Sequence, residues 1–476
     1  MILSVSWKNI WRNKLRSSII ITATALGLFG GIFGSAIING SSERRVHDAI
    51  ACEVGHVQLH DSMFLNNKES KYTIEQYESV TAAIDEDTRV KAWASRVKVM
   101  AMAQTANGVA GVMLNGVDAE KEKLVSDVHK TIKAGGGSFF GADGSKPIVI
   151  GEKLAKTLKL VYYQINEDDL TTIKNNRRFK RTGANIDSLA GIRYRNEGDF
   201  TEALQAAISK PALDKLEHFL KQTAIKYSLR KKIVVSFQTP SGHMAQDAYR
   251  LAGVYNTQNS MFDQANAFVL KEDLQAVMGF GNHQVNEIAI LLNKTQDSDS
   301  VKATLAPKIP ASVQTDTWKE LMPDVGMLND YMGFYMFIVL GIILLALGFG
   351  IVNTMLMAIL DRVKELGMLM AIGMNRARVF AMIMTETILL CLTGGVAGML
   401  LSYGLIVATA NNGIDLTAAY GQGFEAMGFS AHLYPSIGLA DFAYVTLLVV
   451  LTGILACIYP ARKALKLKPA EALRTA

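Results

Sequence analysis

The fold of this chain is decided by the stretch Asn353-Thr-Met-Leu-Met-Ala-Ile-Leu-Asp-Arg-Val-Lys-Glu-Leu-Gly-Met-Leu-Met-Ala-Ile372. Its first part completes an uncharged apolar run, residues 331–360, that is long enough to cross a bilayer as a helix. Charged residues then follow abruptly, with apolar residues at helical spacing between them. The pattern predicts a membrane span that continues beyond the lipid as an amphipathic helix and loop, residues 361–378. Such a helix offers a contact surface to a cytoplasmic partner.

Composition excludes both an ordinary soluble domain and a purely membrane-embedded bundle. The 476 residues are 50% hydrophobic and 19% charged, with a formal net charge of +6. A chain of this length predicts about three domains. Three cysteines cannot form a disulfide framework. Cys391 and Cys457 lie within apolar runs, which is typical of small buried hydrophobic side chains.

The N-terminal region predicts an amphipathic helix followed by a membrane span. Residues 1–16 place tryptophans and aliphatic residues on one helix face and cations on the other, a pattern typical of a helix lying in the membrane plane. Residues 17–42 carry no charge. A cleaved signal peptide has a similar order, but its apolar part is only about 7–15 residues long. We therefore expect a retained first span at 17–42.

Two further apolar runs complete the set of spans. Residues 379–410 predict the third span, and residues 442–460 predict the fourth, ended by Pro460. Small residues recur every four positions in the first and third spans, which lets another helix approach closely. These residues are Ala23, Gly27, Gly31, Ser35, Gly394 and Gly398. Their spacing does not distinguish contacts within one subunit from contacts across a dimer.

The distribution of lysine and arginine predicts the orientation of the spans. These residues are frequent in segments 1–16 and 361–378 and in the tail, 461–476. The loop 411–441 contains neither. We therefore expect a multi-pass protein of a bacterial inner membrane with both termini in the cytoplasm. Residues 43–330 would then lie in the periplasm.

Residues 43–330 have the composition of a folded polar region. Strand-like alternation mixed with helical patterns predicts an α+β region of two lobes. The predicted strands are Val54–His60, Val97–Ala103, Val112–Val117, Ile233–Gln238, Tyr249–Val254 and Glu287–Leu292. Residues 161–230 differ in kind, because they are weakly patterned before Glu202 and helical only after it. We interpret the basic cluster at 174–181 as a solvated face rather than a lipid or polyanion site.

No motif in the chain predicts catalysis or metal binding. Gly141-Ala-Asp-Gly-Ser-Lys146 lacks the spacing and the following hydroxyl residue of a phosphate-binding loop. If the chain is coupled to nucleotide hydrolysis, the ATPase must therefore be supplied by a partner. His56 and His60 lack further ligands at matching spacing, so we predict no metal site. Glu386 is an acid within a span, and such acids are candidates for function. It lies near the cytoplasmic end, where it can pair with a basic residue, and we favour a structural or conformational role.

Four groups of residues resemble the FtsX-like permease module, which MacB-type exporters share with the LolC/LolE lipoprotein-releasing subunits. The groups are Trp7-Lys-Asn-Ile-Trp-Arg-Asn-Lys-Leu-Arg16, the stretch Asn353–Gly373, Glu386 with Gly394-Gly-Val-Ala-Gly398, and Tyr459-Pro-Ala-Arg-Lys-Ala464 with Pro469–Leu473. The resemblance implies four transmembrane helices plus a large α+β extracytoplasmic domain between the first two, with a MacB-like periplasmic core.

The resemblance also implies a type VII ABC assembly. In such an assembly two permease chains, identical or paralogous, work with separate cytoplasmic ATPase subunits that bind ATP and Mg. ATPase closure would push on a coupling helix and rearrange the external domains. The matching positions here are Asp361, Arg362, Val363, Lys364, Glu365, Leu366, Gly367 and Met370. We expect Glu365 to make polar contacts with the ATPase, and we expect the apolar face to enter an ATPase groove, through Val363, Leu366 and Met370.

The external region departs from the family pattern at one place. Pro147–Leu160 resembles the family's strand–helix element, but the strand expected next appears only at Lys231–Phe237. Residues 161–230 therefore predict an insertion, which we expect to contact cargo or a periplasmic partner. The chain begins directly at the amphipathic helix, which favours a separate ATPase subunit over a fused one.

Three functions are compatible with this resemblance. The first is extraction of lipoproteins or another amphiphile from the inner membrane, with transfer to a periplasmic carrier. It is favoured by Val54-Gly-His-Val-Gln-Leu59 and Asn286-Glu-Ile-Ala-Ile-Leu291, which look more like the lipoprotein-release branch. The second is MacB-like efflux with an adaptor and an outer-membrane duct. The third is FtsX-like regulation of a cell-wall hydrolase. All three imply membrane lipid and protein partners and no nucleic acid.

Overall fold

A computed structural model of the chain describes residues 14–141, 146–182, 185–410, 413–416, 423–424 and 432–465. Most of the predicted N-terminal amphipathic helix, most of the loop 411–441 and the tail beyond Leu465 lie outside these residues. The described residues form two compact units. We call them the membrane unit (up to Glu43, Leu328–Ile414 and from His432) and the α+β unit (Arg44–Met327, with 415–416 and 423–424).

Long helices lie towards both ends of the described chain, and short helices and strands alternate between them. In chain order, the helices are α1 Lys14–Asp48, α2 Phe64–Asn67, α3 Tyr77–Asp85, α4 Ala119–Val125, α5 Glu152–Thr157, α6 Glu167–Asn175, α7 Arg177–Lys180, α8 Glu197–Ala207, α9 Lys210–Ala224, α10 Ser260–Ala265, α11 Lys271–Met278, α12 Ser298–Leu305, α13 Trp318–Leu321, α14 Pro323–Asp361, α15 Val363–Ala371, α16 Arg376–Ala410 and α17 Leu439–Leu465. The strands are β1 Val57–Asp61, β2 Val90–Gln104, β3 Val109–Val117, β4 Ile132–Gly137, β5 Pro147–Gly151, β6 Val161–Gln164, β7 Arg193–Tyr194, β8 Ile225–Tyr227, β9 Lys232–Gln238, β10 Met244–Tyr255, β11 Asn266–Leu270, β12 Glu287–Leu292, β13 Val313–Thr317, β14 Ile414–Asp415 and β15 His432–Leu433.

Four helices in the described part of the chain are long and apolar enough to cross a membrane: α1, α14, α16 and α17. Each extends beyond the apolar run that predicts it, because helical hydrogen bonding does not require apolar side chains. The expectation that Pro460 ends the fourth span is wrong, since Pro460 lies inside α17, which continues to Leu465. A proline in a helix removes one hydrogen bond and bends the helix without always ending it.

The α+β unit is built on a ten-stranded mixed sheet. Its order is β13-β1-β12-β2-β3-β11-β5-β10-β4, with β9 pairing with both β10 and β2. Strand β2 shows how the core forms, since its residues alternate between the two faces of the sheet. Val97, Val99, Ala101 and Ala103 are buried, whereas Met100 and Met102 are exposed. The buried face contacts apolar residues of α3, α5, α11 and α12.

Five of the predicted strands lie within β2, β3, β9, β10 and β12 as expected. The prediction of a strand from Val54 is wrong in its first residues. Ala49–Val54 form a π-helical turn that extends α1, and β1 begins only at Val57. Gly55, with a φ of 77°, separates the turn from the strand in a conformation that favours glycine.

Residues 161–227 form a small lobe with its own sheet, β7-β6-β8, and its own core. The core includes the buried side chains Tyr163, Ile173, Phe200, Leu204, Leu216 and Leu220. Helices begin earlier in this lobe than the sequence pattern indicated, because α6 already begins at Glu167 with a capping box between Asn166 and Asp169. The lobe leaves and rejoins the main sheet at one point, where the Ser228 N–H donates to the Leu160 carbonyl at 2.8 Å.

Candidate functional site

The amphipathic helix α15 is joined to the second span by a single non-helical residue. Arg362 has φ −109° and ψ 14°, between the end of α14 at Asp361 and the start of α15 at Val363. Backbone hydrogen bonds continue across this break: the Arg362 N–H donates to Ile359 at 3.1 Å, and the Leu366 N–H donates to Arg362 at 2.9 Å. A single residue therefore joins the two helices, without an intervening loop.

The other end of α15 is closed by a glycine turn. Gly373 has a φ of 98°, which is accessible to glycine at little cost. The Met374 N–H donates to Leu369 at 3.0 Å, which satisfies a carbonyl at the helix end. Asn375 then accepts a hydrogen bond from the Ala377 N–H at 3.1 Å and so caps the start of α16. Helix α15 is thus held between two defined turns.

The face of α15 that we expected to meet an ATPase is turned into the chain itself. Leu366 and Gly367 are buried, and Met370 is half-buried against the apolar core of the membrane unit. The expectation that Leu366 enters an ATPase groove is therefore wrong. An amphipathic helix beside a membrane bundle buries its apolar stripe against the nearest apolar surface, which here is its own core.

A different face of α15 remains exposed. We call it the outer face of α15: Lys364, Met368, Ala371 and Ile372. Met368 is 53% exposed and Ile372 is 79% exposed. Two large apolar side chains at this exposure, next to a cation, form a small amphipathic surface. Glu365 lies beside it with its side chain about half exposed. The Asp361 side chain lies outside the described part of the structure.

Arg362 bridges two carboxylates. Its Nη1 atom donates to Glu386 Oε2 at 2.9 Å and Oε1 at 3.2 Å. Its Nε atom donates to Glu365 Oε2 at 3.0 Å. The Glu386 side chain is only 5% exposed. The sequence singled out Glu386 and the coupling stretch separately, and the structure joins them. The sequence feature that could have predicted this pair is the presence of two opposite charges at the same end of neighbouring spans.

The small residues of the first and third spans make close contacts within this chain. A Cβ atom at Gly394 would lie 2.8 Å from the Ile21 carbonyl oxygen, and one at Gly398 would lie 2.7 Å from that of Ala25. On another face of α1, a Cβ atom at Gly27 would lie 3.1 Å from the Leu347 side chain. The question that the spacing left open is therefore settled for these glycines: they pack within the subunit.

The remaining small positions show a similar environment. A Cβ atom at Gly31 would lie 3.3 Å from the side chains of Leu340 and Val445. Ser35 is buried, and Ala23 is half-buried. The glycines of α1 therefore face α14 and α17, whereas the glycines of α16 lie against the backbone of α1. Small residues allow such close helix packing.

The two histidines with metal-like spacing both make hydrogen bonds within the α+β unit. The His56 Nδ1 atom accepts a hydrogen bond from the Leu292 N–H at 3.1 Å, and burial lowers the pKa of His56 to about 4. The His60 Nε2 atom lies 2.9 Å from Asp316 Oδ2. Among the described residues, no group of three or more His, Cys, Asp or Glu side chains is placed to hold a metal ion.

Comparison with known families identifies the membrane part. Residues 337–469 match the FtsX-like permease C-terminal family. The membrane unit therefore contains an FtsX-like permease domain. The matched range includes α15, Arg362, Glu386 and both close-contact glycines of α16. The chain thus has four helices that are long and apolar enough to span a membrane, a C-terminal region similar to the FtsX-like permease family, and a large α+β unit between the first two of these helices.

The chain is similar to curated relatives that are named macrolide export ATP-binding/permease proteins. The chain is 25% identical over 234 residues to the macrolide export ATP-binding/permease protein MacB of Vibrio parahaemolyticus, covering 47% of this chain and 33% of that protein. It is 33% identical over 132 residues to the MacB of Bordetella avium, covering 27% of this chain and 17% of that protein. The chain thus spans a third or less of the length of these relatives.

Two solved structures of external transporter domains match this chain with low TM-scores. One is the extracellular domain of the noncanonic ABC-type transporter YknZ from Gram-positive bacteria (TM-score 0.29, 12% identity, 55% of this chain and 99% of that chain). The other is the periplasmic region of MacB from Actinobacillus actinomycetemcomitans (TM-score 0.28, 10% identity, 57% of this chain and 92% of that chain). Such scores do not establish a shared fold.

Proposed function

We propose that this chain is the non-catalytic permease subunit of a mechanotransmitting ABC transporter. In this proposal a separate cytoplasmic ATPase binds ATP and Mg and contacts the outer face of α15. Two permease chains, identical or paralogous, form the assembly. The FtsX-like domain and the MacB relatives support the transporter assignment, and the outer face of α15 is the exposed surface that the ATPase would use.

The observation that carries the proposal is the length of α14. This helix runs without interruption for 39 residues, from Pro323, at the end of the α+β unit, to Asp361, beside α15. At 1.5 Å per residue it is about 58 Å long, whereas the apolar core of a bilayer is about 30 Å thick. A push passed from α15 through the junction at Arg362 would therefore travel along one uninterrupted helix.

The proposed orientation follows the charges around α15. Arg362, Lys364, Arg376 and Arg378 lie in one short connection between spans, which the positive-inside rule places in the cytoplasm. Both termini would lie on the same side. The α+β unit would then lie outside the inner membrane, in the periplasm, where it could act on cargo.

The proposed cargo is a lipoprotein or another amphiphile, extracted from the inner membrane and passed to a periplasmic carrier. The motifs Val54–Leu59 and Asn286–Leu291 support this choice. Efflux through an adaptor and an outer-membrane duct is the second candidate, because the relatives carry the name of macrolide exporters. Regulation of a cell-wall hydrolase is the third. The three differ in which protein accompanies the transporter.

Affinity purification of the tagged chain from its native membrane tests the assignment. Mass spectrometry should recover an ATPase with the parent chain, and Lys364→Glu should reduce its recovery at least several-fold. The control is Lys231→Glu, which changes an exposed lysine of the α+β unit. Lipoproteins or a carrier in the eluate would support extraction, whereas an adaptor with a duct would replace extraction by efflux. Equal ATPase recovery with both variants would contradict the proposed contact.

A further inference from the structure

We propose that Arg362 is a positioning residue that makes the third span, α16, move together with α15. It does so through its ion pair with Glu386. The inference deepens the proposed function, since the ATPase supplies the movement. The linkage itself is a property of the membrane unit alone. Two measurements are therefore needed, one with the partner and one without it.

The position of Arg362 makes a side-chain linkage necessary. It is the non-helical residue between α14 and α15, so the direction of α15 is not fixed by a continuous helix. Two hydrogen bonds from its guanidinium to Glu386 tie this junction to α16. A third, to Glu365, ties it to the first turn of α15. The planar guanidinium holds both carboxylates in fixed directions, which a lysine cannot do.

Burial makes the pair resistant to separation. Glu386 is almost fully buried, and Arg362 is mostly buried. Moving α15 away from α16 would separate the buried Glu386 carboxylate from the Arg362 guanidinium, and breaking a buried ion pair is strongly unfavourable. Well-packed apolar side chains would stabilise the bundle as well as a buried pair does. Stability alone therefore does not explain why Arg362 and Glu386 are charged residues. The need to fix the direction of α15 does explain it.

Helix α16 passes the movement to the rest of the membrane unit. Gly394 and Gly398 lie directly against the backbone of α1, and the Cys457 thiol of α17 donates to the Thr387 hydroxyl at 2.9 Å. Thr387 is the residue after Glu386 on α16. A displacement of α15 would thus reach α1 through α16, in addition to its direct path along α14. Both helices that lead into the α+β unit would move together.

Spin-label distances between α15 and α16 test the linkage without an ATPase. Labels on Met368→Cys and Val396→Cys, both exposed positions, report the distance in the purified full chain in lipid nanodiscs. The chain without introduced cysteines controls for labelling of its three native, buried cysteines. Arg362→Gln and Glu386→Gln should each broaden the distance distribution. Glu365→Gln, which changes only the half-exposed partner, should leave it close to the parent.

The charge swap distinguishes positioning from general structural damage. Arg362→Glu combined with Glu386→Arg should narrow the distribution again, because the pair is restored with reversed polarity. If the swapped chain does not elute as a folded protein, Arg362→Lys decides, and it should give an intermediate width. An unchanged width in both glutamine variants would overturn the inference. The inference would also be overturned if the folded swap variant, or the lysine variant, gave a distance distribution as broad as that of Arg362→Gln.

Nucleotide addition to the co-purified complex tests the coupled movement. For this measurement the α15 label is placed at Val363→Cys, which lies outside the outer face of α15. In the parent complex, ATP should leave the α15–α16 distance constant. In the Arg362→Gln complex, ATP should change this distance while ATP hydrolysis continues. A shift of the same size in the parent would overturn the inference. If no ATPase accompanies the parent chain, the proposed function fails, and the measurement without ATPase still decides the role of Arg362.

Discussion

Gly398 lies so close to α1 that a side chain at this position has no space. A Cβ atom would meet both the Ala25 carbonyl oxygen and the Leu28 side chain. We expect Gly398→Val to force α1 and α16 apart, at a cost of about 1–3 kcal/mol or more. The matched control is Gly404→Val on the same helix, where nothing lies within 4 Å of the added atom. Thermal unfolding in detergent should separate the two variants, and equal midpoints would show that the contact is not close.

A buried charge cluster in the α+β unit gives a second residue-scale prediction. The Arg96 side chain donates to Glu122 at 2.7 Å and to Glu287 at 2.9 Å, and all three side chains are buried. Arg96→Met should destabilise the unit by about 3–5 kcal/mol, because it leaves two buried carboxylates without this partner. Lys123→Met, which removes an exposed pair with Glu120, should cost less than about 1 kcal/mol.

Limited proteolysis of the full chain, with increasing temperature, measures both changes. The Arg96→Met variant should be cut within the α+β unit at a clearly lower temperature than the parent, and Lys123→Met should match the parent. Equal resistance of the two variants would mean that the buried cluster does not stabilise this unit.

Helix α15 shows what a periodic pattern can and cannot predict. The sequence identified the helix and its amphipathic character. It assigned the apolar face to a partner, although the structure buries Leu366 in the membrane unit. Periodicity identifies which residues share a face, but it does not say which surface covers that face. The Arg362–Glu386 pair was missed for a related reason, since contact between residues 24 positions apart depends on how α15 and α16 meet.

The two faces of α15 should therefore respond differently to mutation. Leu366→Ala should lower the stability of the chain by about 2–5 kcal/mol, because it leaves a cavity in the core, and the folded fraction should still bind the ATPase. Met368→Ala should leave stability unchanged and weaken ATPase binding. Thermal unfolding and co-purification, measured on the same preparations, test both halves. If the folded Leu366→Ala variant lost ATPase binding and Met368→Ala did not, the ATPase contact would have to involve the buried face instead of the outer face.

The lobe at 161–227 should be removable as a unit. Its ends meet at the hydrogen bond between Leu160 and Ser228. Most of its core is its own, although Tyr227 is buried in the core of the main sheet. We expect a short glycine–serine linker in its place to leave the main sheet folded and ATPase recovery unchanged. The shortened chain should fail to support transport, because the lobe would contact cargo or a periplasmic partner. Full complementation with unchanged ATPase stimulation would refute that role.

At the scale of the whole molecule, the spans were predictable and the sheet order was not. Long uncharged runs have few alternatives to a membrane helix, so α1, α14, α16 and α17 could be located from composition. The pairing of β1 with β12 and β13 joins residues more than 200 positions apart. No local pattern encodes such a pairing. The early start of α6 was missed because its apolar positions are few and its N-terminal signal is polar.

The proposed topology predicts opposite accessibility for the two units. The sample is cells whose outer membrane has been made permeable and whose inner membrane is intact. A thiol reagent that does not cross the inner membrane should label Lys231→Cys in these cells. It should label Lys364→Cys only after the inner membrane is opened. Both lysines are exposed, so the difference should reflect the side of the membrane. Labelling of Lys364→Cys from outside would invert the proposed orientation.

The contact between the outer face of α15 and an ATPase is the central claim, and photo-crosslinking tests it most directly. A photoreactive amino acid at Met368, in the full chain and in its native membrane, should crosslink to a nucleotide-binding subunit. The same amino acid at Val396, equally exposed but within the third span, should not. Capture of that subunit at Met368 alone is the predicted result. An ATPase captured equally at both positions, or only lipid at Met368, would contradict the account.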